Sequence, residues 1–197
     1  MSRRSKQGVI AAALAALVAT ACSGGDAANS AEAAPAGDAA SMAVADNVSG
    51  SMKGLYGMTT AVLKATAEKV PEDLYGFQPT SEVRTMGQIL AHVAGAQFLF
   101  CSAAAGEQSP NSENFEETRT SKAQIIEALS MGIDYCNQVY DNMSDARGQE
   151  MIQFFGSDWA VNGVLAFNAA HNYEHYGNLV TYMRINGIVP PSSAGGM

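Results

Sequence analysis

Basic side chains are scarce in this chain of 197 residues, which has 11 Lys and Arg against 19 Asp and Glu. The formal net charge is −8 with the histidines counted as neutral. Proteins that bind nucleic acid through its phosphates need a cluster of Lys and Arg side chains, and beyond residues 2–6 the sequence provides no basic patch. We therefore expect no nucleic-acid partner, and we interpret the acidity as a contribution to solubility.

The apolar run at the N-terminus, residues 9–19, is too short to cross a bilayer comfortably as a helix. It follows a basic stretch at residues 2–6 and leads into Ala19-Thr20-Ala21, the small-residue pattern of a cleavage site. We therefore predict that residues 1–21 are a signal peptide and that the protein is exported. Cleavage removes three of the 11 basic residues and no acidic ones, which leaves a net charge near −11.

Cys22 follows the predicted cleavage site directly. Residues 17–22 resemble a bacterial lipobox, in which the cysteine is lipid-modified and becomes the first mature residue, although the lipobox prefers Leu where this chain has Ala19. We predict lipidation of Cys22, with ordinary secretion as the alternative. Residues 22–46 are mainly Ala, Gly, Ser, Asp and Asn, so we predict a flexible tether whose lipid anchor is the only contact with the membrane.

Two further cysteines, Cys101 and Cys136, occur in the rest of the chain. Outside the cytoplasm such a pair tends to be oxidised, so we predict a disulfide bond. Two buried apolar thiols are the alternative.

Hydrophobic periodicity predicts an all-α fold with four amphipathic helices. Thr85 with Gln88, and Ser121 with Gln124, have the spacing of capping boxes at the starts of the second and third helices. The predicted helices cover residues 48–69, 86–105, 122–143 and 158–186, the last with Ser157 as its N-cap.

The remaining segments complete the predicted domain, which covers residues 47–191. Residues 107–120 are polar and aperiodic, which indicates a long loop. Residues 151–155 form a short apolar stretch, for which a strand and an extended plug are both open interpretations. Residues 192–197 are predicted to be a disordered tail.

The two cysteines also bear on the order of the helices. If the second and third helices formed an antiparallel hairpin, Cys101 and Cys136 would lie roughly 20 Å apart along the axis, too far for a disulfide. Parallel helices bring both cysteines toward the same end, and the loop of residues 107–120 is long enough for a crossover of about 30 Å. We therefore predict an up-down-down-up four-helix bundle with a long crossover between its second and third helices.

His171 and His175 are four residues apart on the predicted fourth helix, so their imidazoles project from one face. This spacing suits metal binding, although a buried polar contact or a surface coincidence gives the same spacing. The string H-x-x-E-H also matches a metalloprotease pattern, but no Asp, Glu or His follows His175 as a further ligand. A third ligand must come from upstream, where His92 is the only histidine and has a hydrogen-bonded core role as its alternative.

Two segments around these histidines carry a family resemblance. Residues 89–96, ILAHVAGA, and residues 171–184, HNYEHYGNLVTYMR, resemble the DinB-like superfamily of metal-binding four-helix proteins. The resemblance implies that His92, His171 and His175 bind one divalent ion, nickel, zinc or a similar metal. It also implies the up-down-down-up order, and it suggests a homodimer because many members form dimers.

Three histidine ligands leave at least one coordination position open, which is typical of catalytic sites. The family includes metal-dependent hydrolases and transferases that use small cellular thiols, and export disfavours the transferase because those thiols are cytoplasmic. We expect a metal-dependent hydrolase of a small molecule, with a non-catalytic metal- or ligand-binding lipoprotein as the alternative. Glu174 borders the metal face and is the candidate general base or ligand partner, with a solvated glutamate as the alternative.

Overall fold

A computed structural model describes residues 47–194 of the chain. The signal peptide predicted for residues 1–21, the lipidation of Cys22 and the tether predicted for residues 22–46 lie outside the described residues. The last three residues of the predicted tail, 195–197, lie outside them as well.

Most of the described residues lie in helices, as predicted. The four long helices are α1 (Asn47–Lys69), α2 (Met86–Ala105), α4 (Lys122–Asp141) and α6 (Val161–Ile185). Two one-turn helices, α3 (Phe115–Thr118) and α5 (Asp145–Gly148), lie in the connections. A two-stranded antiparallel sheet of β1 (Met151–Phe154) and β2 (Ser157–Ala160) precedes α6, and 3-10 turns cover Glu72–Leu74 and Pro191–Ser193.

Both predicted capping boxes are confirmed. At the start of α2, the Gln88 backbone N–H donates to the Thr85 hydroxyl, and the Thr85 backbone N–H donates to the Gln88 side chain. Ser121 and Gln124 make the same reciprocal pair at the start of α4. Gly106, with φ +76°, ends α2 in the left-handed conformation that glycine adopts without strain.

The structure corrects the predicted start of the fourth helix, the loop and the tail, and it decides between the two interpretations left open for residues 151–155. The fourth long helix begins at Val161, because residues 157–160, predicted to belong to it, pair with residues 151–154 as a hairpin. Residues 151–155 are therefore a strand with its turn, and the loop of residues 107–120 contains α3. The tail is not disordered from its first residue, because Ser192 exchanges hydrogen bonds with the Tyr176 hydroxyl.

Contacts between α2 and α4 occur in the same order along both helices. Gly87 packs against Ile125 near the two N-terminal ends, and Cys101 lies beside Cys136 near the C-terminal ends. The Cα atoms of the two cysteines are 5.4 Å apart, and both side chains are fully buried. The two cysteines predicted to form a disulfide bond therefore lie at disulfide distance.

A layer of buried amides separates two apolar clusters in the core. Leu63, Leu90 and Met183 belong to one cluster, and Tyr56 and Leu165 belong to the other. Each of the three amide side chains in the layer donates to a polar side chain on a neighbouring element. The bonds run from Gln97 Nε2 to Asn172 Oδ1 (2.8 Å), from Asn172 Nδ2 to Thr59 Oγ1 (3.1 Å), and from Asn168 Nδ2 to Gln97 Oε1 (3.3 Å). The layer ties α1, α2 and α6 together where the histidines of α6 begin.

The apolar character of α2 has a simple structural reason. Among the described helices, α2 is the one long and apolar enough to cross a membrane by length and composition, with a mean hydropathy of 1.3. However, 67% of that segment is buried inside the protein. The helix packs against both α4 and α6, so its apolar residues form the core.

Candidate metal centre

The structure brings together all three histidines of the sequence. His92 projects from α2, and His171 and His175 project from successive turns of α6. The Nε2 atom of His171 lies 3.1 Å from Nε2 of His92 and 3.1 Å from Nε2 of His175. One ligand atom from each residue lies within 4.8 Å of the others, which places the three residues within metal-binding distance.

The donor set fits a cation better than it fits a hydrogen-bonded cluster. An imidazole nitrogen carries either one proton or one lone pair, so Nε2 of His171 cannot make a good hydrogen bond to both neighbours at once. Three lone pairs directed at one point repel one another unless a positive charge lies between them. A divalent ion with imidazole ligands resolves both conflicts, so the residues present fit such an ion.

Burial keeps two of the histidines neutral. Desolvation, assisted by the neighbouring imidazoles, lowers the pKa of His171 to about 3 and that of His175 to about 4. Both imidazoles are therefore neutral at neutral pH, and each has one ring nitrogen with a lone pair for a metal. Their Nδ1 atoms are buried and have no hydrogen-bond partner within residues 47–194.

Glu116 fixes the orientation of the third histidine. The Nδ1–H of His92 donates to Oε1 of Glu116 over 2.7 Å, and Arg84 Nε donates to Oε2 of the same carboxylate over 2.7 Å. With its proton held at Nδ1, His92 directs the lone pair of Nε2 toward the other two histidines. Partial burial acts to raise the pKa of Glu116, but the hydrogen bonds from Arg84 and His92 bring it below its usual value.

Sequence reasoning did not identify Glu116 as a site residue. It lies in α3, inside the segment of residues 107–120 that lacks hydrophobic periodicity. The available signal was Asn114, which caps α3 by accepting a hydrogen bond from the Glu116 backbone N–H. A cap indicates a helix start, but it gives no information about which side chain reaches His92.

Glu174, the predicted general base, lies on the exposed side of α6. It lines a polar cavity of about 530 Å³ together with His175, Asn178 and Arg84. Within the described part of the chain, no hydrogen bond joins Glu174 to any of the three histidines. The carboxylate that does hydrogen-bond a histidine is Glu116.

A second cavity, of about 540 Å³, opens on the other side of the cluster. His92 and His171 both line it, whereas His175 faces the polar cavity. The histidine cluster therefore lies between two openings of different character, one largely apolar and one largely polar. A small molecule that enters the apolar opening reaches two of the three histidines.

Comparisons with known proteins find matches to both the sequence and the fold. A sequence model of the DinB superfamily matches residues 56–179, more than half of the chain, and this range includes all three histidines. A DinB-like protein from Bacillus subtilis has a similar crystal structure, with a TM-score of 0.57, 19% identity, and coverage of 70% of this chain and 92% of that one. A DinB-like protein from Bacillus cereus has a TM-score of 0.64 at 15% identity, covering 74% of this chain and 95% of the other. At these identities the two structures show a shared fold alone. A search of curated proteins found no match to the chain.

Proposed function

The chain belongs to the DinB superfamily, and on that premise we propose that it binds one divalent metal ion through His92, His171 and His175. The observation that carries the proposal is the convergence of three Nε2 atoms that cannot all be satisfied by hydrogen bonds. Nickel and zinc both accept imidazole nitrogen, so these ligands suit either metal. When bound, the ion supplies Lewis acidity beside the apolar cavity.

The order proposed for the four long helices is up-down-down-up. The parallel contacts of α2 with α4, from Gly87 and Ile125 to Cys101 and Cys136, support this order. Contacts of α2 with α6 run in the opposite sense, since Gln97 meets Asn172 and Cys101 meets the earlier residue Asn168. The long connection that contains α3 serves as the crossover between α2 and α4.

The proposed activity is metal-dependent hydrolysis of a small molecule. Its support is the cavity of about 540 Å³ that reaches His92 and His171, because pockets of this size commonly hold small ligands. Glu116 orients His92, and Glu174 is the candidate base on the polar side of the cluster.

A non-catalytic role in holding a metal ion or a small ligand is the second candidate. It is favoured by the state of the carboxylates that line the apolar cavity. Glu116 accepts hydrogen bonds from His92 and Arg84, and Glu113 accepts them from Arg119 and Thr118. Both groups are thereby engaged, which leaves neither of them well placed to take a proton from a substrate.

Metal analysis of the purified protein tests the central proposal. We expect about one nickel or zinc ion per chain after exposure to both metals, and a large loss in His171→Ala. Thr181→Ala is the matched control, because it alters an exposed position of the same helix that lines neither cavity. A wild-type protein that holds no metal under replete conditions would refute the metal site.

A panel of uncharged esters and amides separates the two functional candidates. Hydrolysis that needs metal, and that His171→Ala abolishes, supports the enzyme. A protein that retains its metal but hydrolyses none of these compounds supports the binding role.

We propose further that the mature protein is exported and anchored to a membrane through a lipid on Cys22. The support is the N-terminal sequence together with the buried Cys101 and Cys136 at disulfide distance, an arrangement favoured in oxidising compartments. Cell fractionation tests the anchor. Wild-type protein is expected in the membrane fraction, and Cys22→Ser is expected to leave it.

A further inference from the structure

Aromatic side chains wall the apolar cavity beside the histidine cluster. The ring of Phe100 lies 5.3 Å from that of His171 and 5.3 Å from that of Phe167, measured between centroids. The ring of Phe155 lies 6.4 Å from Phe100 and 6.3 Å from Phe167. The three phenyl rings therefore form a continuous apolar surface that starts at a proposed metal ligand and extends to the cavity mouth.

Phe155 occupies this wall at a local cost. It has φ +49° and Gly156 has φ +77°, so both central residues of the β1–β2 turn are left-handed. Such turns favour Asn-Gly, and a bulky aromatic residue is disfavoured at the first position. The side chain of Phe155 is also 64% exposed. A large apolar group held at an unfavourable backbone position in a cavity wall is typical of a contact surface for a ligand.

The charges around the cavity restrict what the ligand carries. Two carboxylates, those of Glu113 and Glu116, belong to its lining, and among the described lining residues there is no Lys or Arg. The arginines that pair with these carboxylates, Arg119 and Arg84, lie outside the lining. Away from the histidines, an anionic group in the cavity would therefore meet carboxylates and would find no Lys or Arg in the lining.

Uncharged polar side chains also belong to the lining of the cavity. Asn111, Asn114 and Ser109 are among them. A mainly apolar pocket with a few polar groups is the common form of a site for an uncharged small molecule.

We propose that this cavity binds an uncharged aromatic or aliphatic group of the substrate or ligand, and that Phe155 determines this preference. The polar group of the same molecule then lies at His92 and His171. That second statement rests on the proposed metal site, whereas binding of the apolar group does not. The volume of about 540 Å³ has room for a group with two fused rings.

Two fluorescent probes that differ by one charged group test the preference. N-phenyl-1-naphthylamine is uncharged, and 8-anilinonaphthalene-1-sulfonate is the same skeleton with a sulfonate. We expect saturable binding of the uncharged probe at one site per chain, and binding of the sulfonate that is weaker by about ten-fold or more. Equal affinity for the two probes, or no saturable binding of the uncharged one, would overturn the proposal.

Variants of Phe155 test its role with the same uncharged probe. Phe155→Asn removes the ring but suits the left-handed turn, so the hairpin is kept, and we expect a loss of affinity of about ten-fold. Phe155→Tyr keeps the ring and is expected to retain binding. Ile185→Ala, which trims a side chain that is 58% exposed at the end of α6, is the control and should not change it. If Phe155→Asn binds the probe as tightly as Ile185→Ala does, Phe155 does not determine the preference.

A pair of metal chelators tests whether the cavity and the histidine cluster serve one ligand. On zinc-loaded protein, 2-naphthohydroxamate and acetohydroxamate present the same chelating group with and without a fused aromatic system. We expect calorimetry to show binding of both, with an affinity for the aromatic compound that is higher by about ten-fold or more. Phe155→Asn is expected to reduce this difference in affinity. Binding of both without that difference refutes this inference but not the metal site. Failure to load either zinc or nickel refutes the metal site, and the uncharged probe then tests the cavity alone.

Discussion

The Nδ1–H of His92 donates a hydrogen bond to the carboxylate of Glu116 over 2.7 Å, across 24 positions of sequence. This bond links α3, in the connection between α2 and α4, to the proposed metal ligands. The same carboxylate accepts hydrogen bonds from Arg84, so it is held from both sides. The orientation of His92 therefore depends on a loop that contributes no ligand itself.

Loss of the Glu116 carboxylate is expected to weaken metal binding. Glu116→Ala leaves the Nδ1–H of His92 without its acceptor, and we expect a decrease in metal affinity of about 10- to 100-fold. Glu116→Gln keeps an acceptor oxygen without the charge, so its decrease should be smaller. Competition against a chromophoric chelator measures both. Glu117→Ala, on the exposed side of the same short helix, is the control. Equal metal affinities of Glu117→Ala and Glu116→Ala would contradict the role of Glu116 in orienting His92.

Removal of the cysteine pair is expected to lower stability. A disulfide between residues that are 35 positions apart restricts the unfolded chain, so Cys101→Ala with Cys136→Ala should reduce the free energy of unfolding by about 4 kcal/mol. Urea unfolding measures the change. Thiol counting on denatured, unreduced Cys22→Ser protein, in which these are the remaining cysteines, should find no free thiol. Two reactive thiols would show that the bond is absent.

Gly132 permits the close approach of α4 to α2. A Cβ atom at this position would lie 2.6 Å from the backbone oxygen of Ala94, which cannot rotate away. We expect Gly132→Ala to destabilise the protein by about 1–3 kcal/mol in urea unfolding. Gly177→Ala is the matched control, because no atom lies within 4 Å of its added Cβ. The free energy of unfolding of Gly177→Ala should rise by about 0.5–1 kcal/mol through helix propensity. Equal changes in Gly132→Ala and Gly177→Ala would contradict the close packing at Gly132.

The start of α1 is expected to depend on pH through Asp145. Its carboxylate accepts hydrogen bonds from the backbone N–H groups of Ser49 (2.7 Å) and Val48 (3.2 Å), and these bonds lower the pKa of Asp145. A carboxyl group whose pKa is lower in the folded state stabilises the fold above its unfolded pKa, and this contribution is lost as the pH falls through the folded pKa.

The difference in thermal stability between wild type and Asp145→Asn should therefore shrink in acid. Scans at neutral pH and at successively lower pH values measure it. A difference that stays constant across that range would argue against ionised Asp145 as the cap of α1.

The parts of the structure that the sequence predicted are those with local signals. Both ends of α2 are marked within a few residues, by the Thr85–Gln88 capping box and by Gly106. His171 and His175 share a face because helix geometry alone brings positions four apart together. Their meeting with His92 was inferred because no other histidine was available as a third ligand.

The parts that were missed depend on contacts distant in sequence or on an unusual turn. Ser157 resembles an N-cap, but Phe155 and Gly156 reverse the chain immediately before it without the Asn-Gly signal of tight hairpins. Glu116 lies in a segment whose composition indicates only a loop. Its value to the site comes from Arg84 and His92, which lie in other parts of the chain.

The buried amide layer also affects how precisely the three histidines are positioned relative to one another. A slip of α6 by one turn, about 5.4 Å, would separate Gln97 from Asn172 and leave buried amides unpaired. Through these hydrogen bonds the layer selects the observed register over a shifted one. Since Asn172 adjoins His171, that selection also sets the distance between His92 and the histidines of α6.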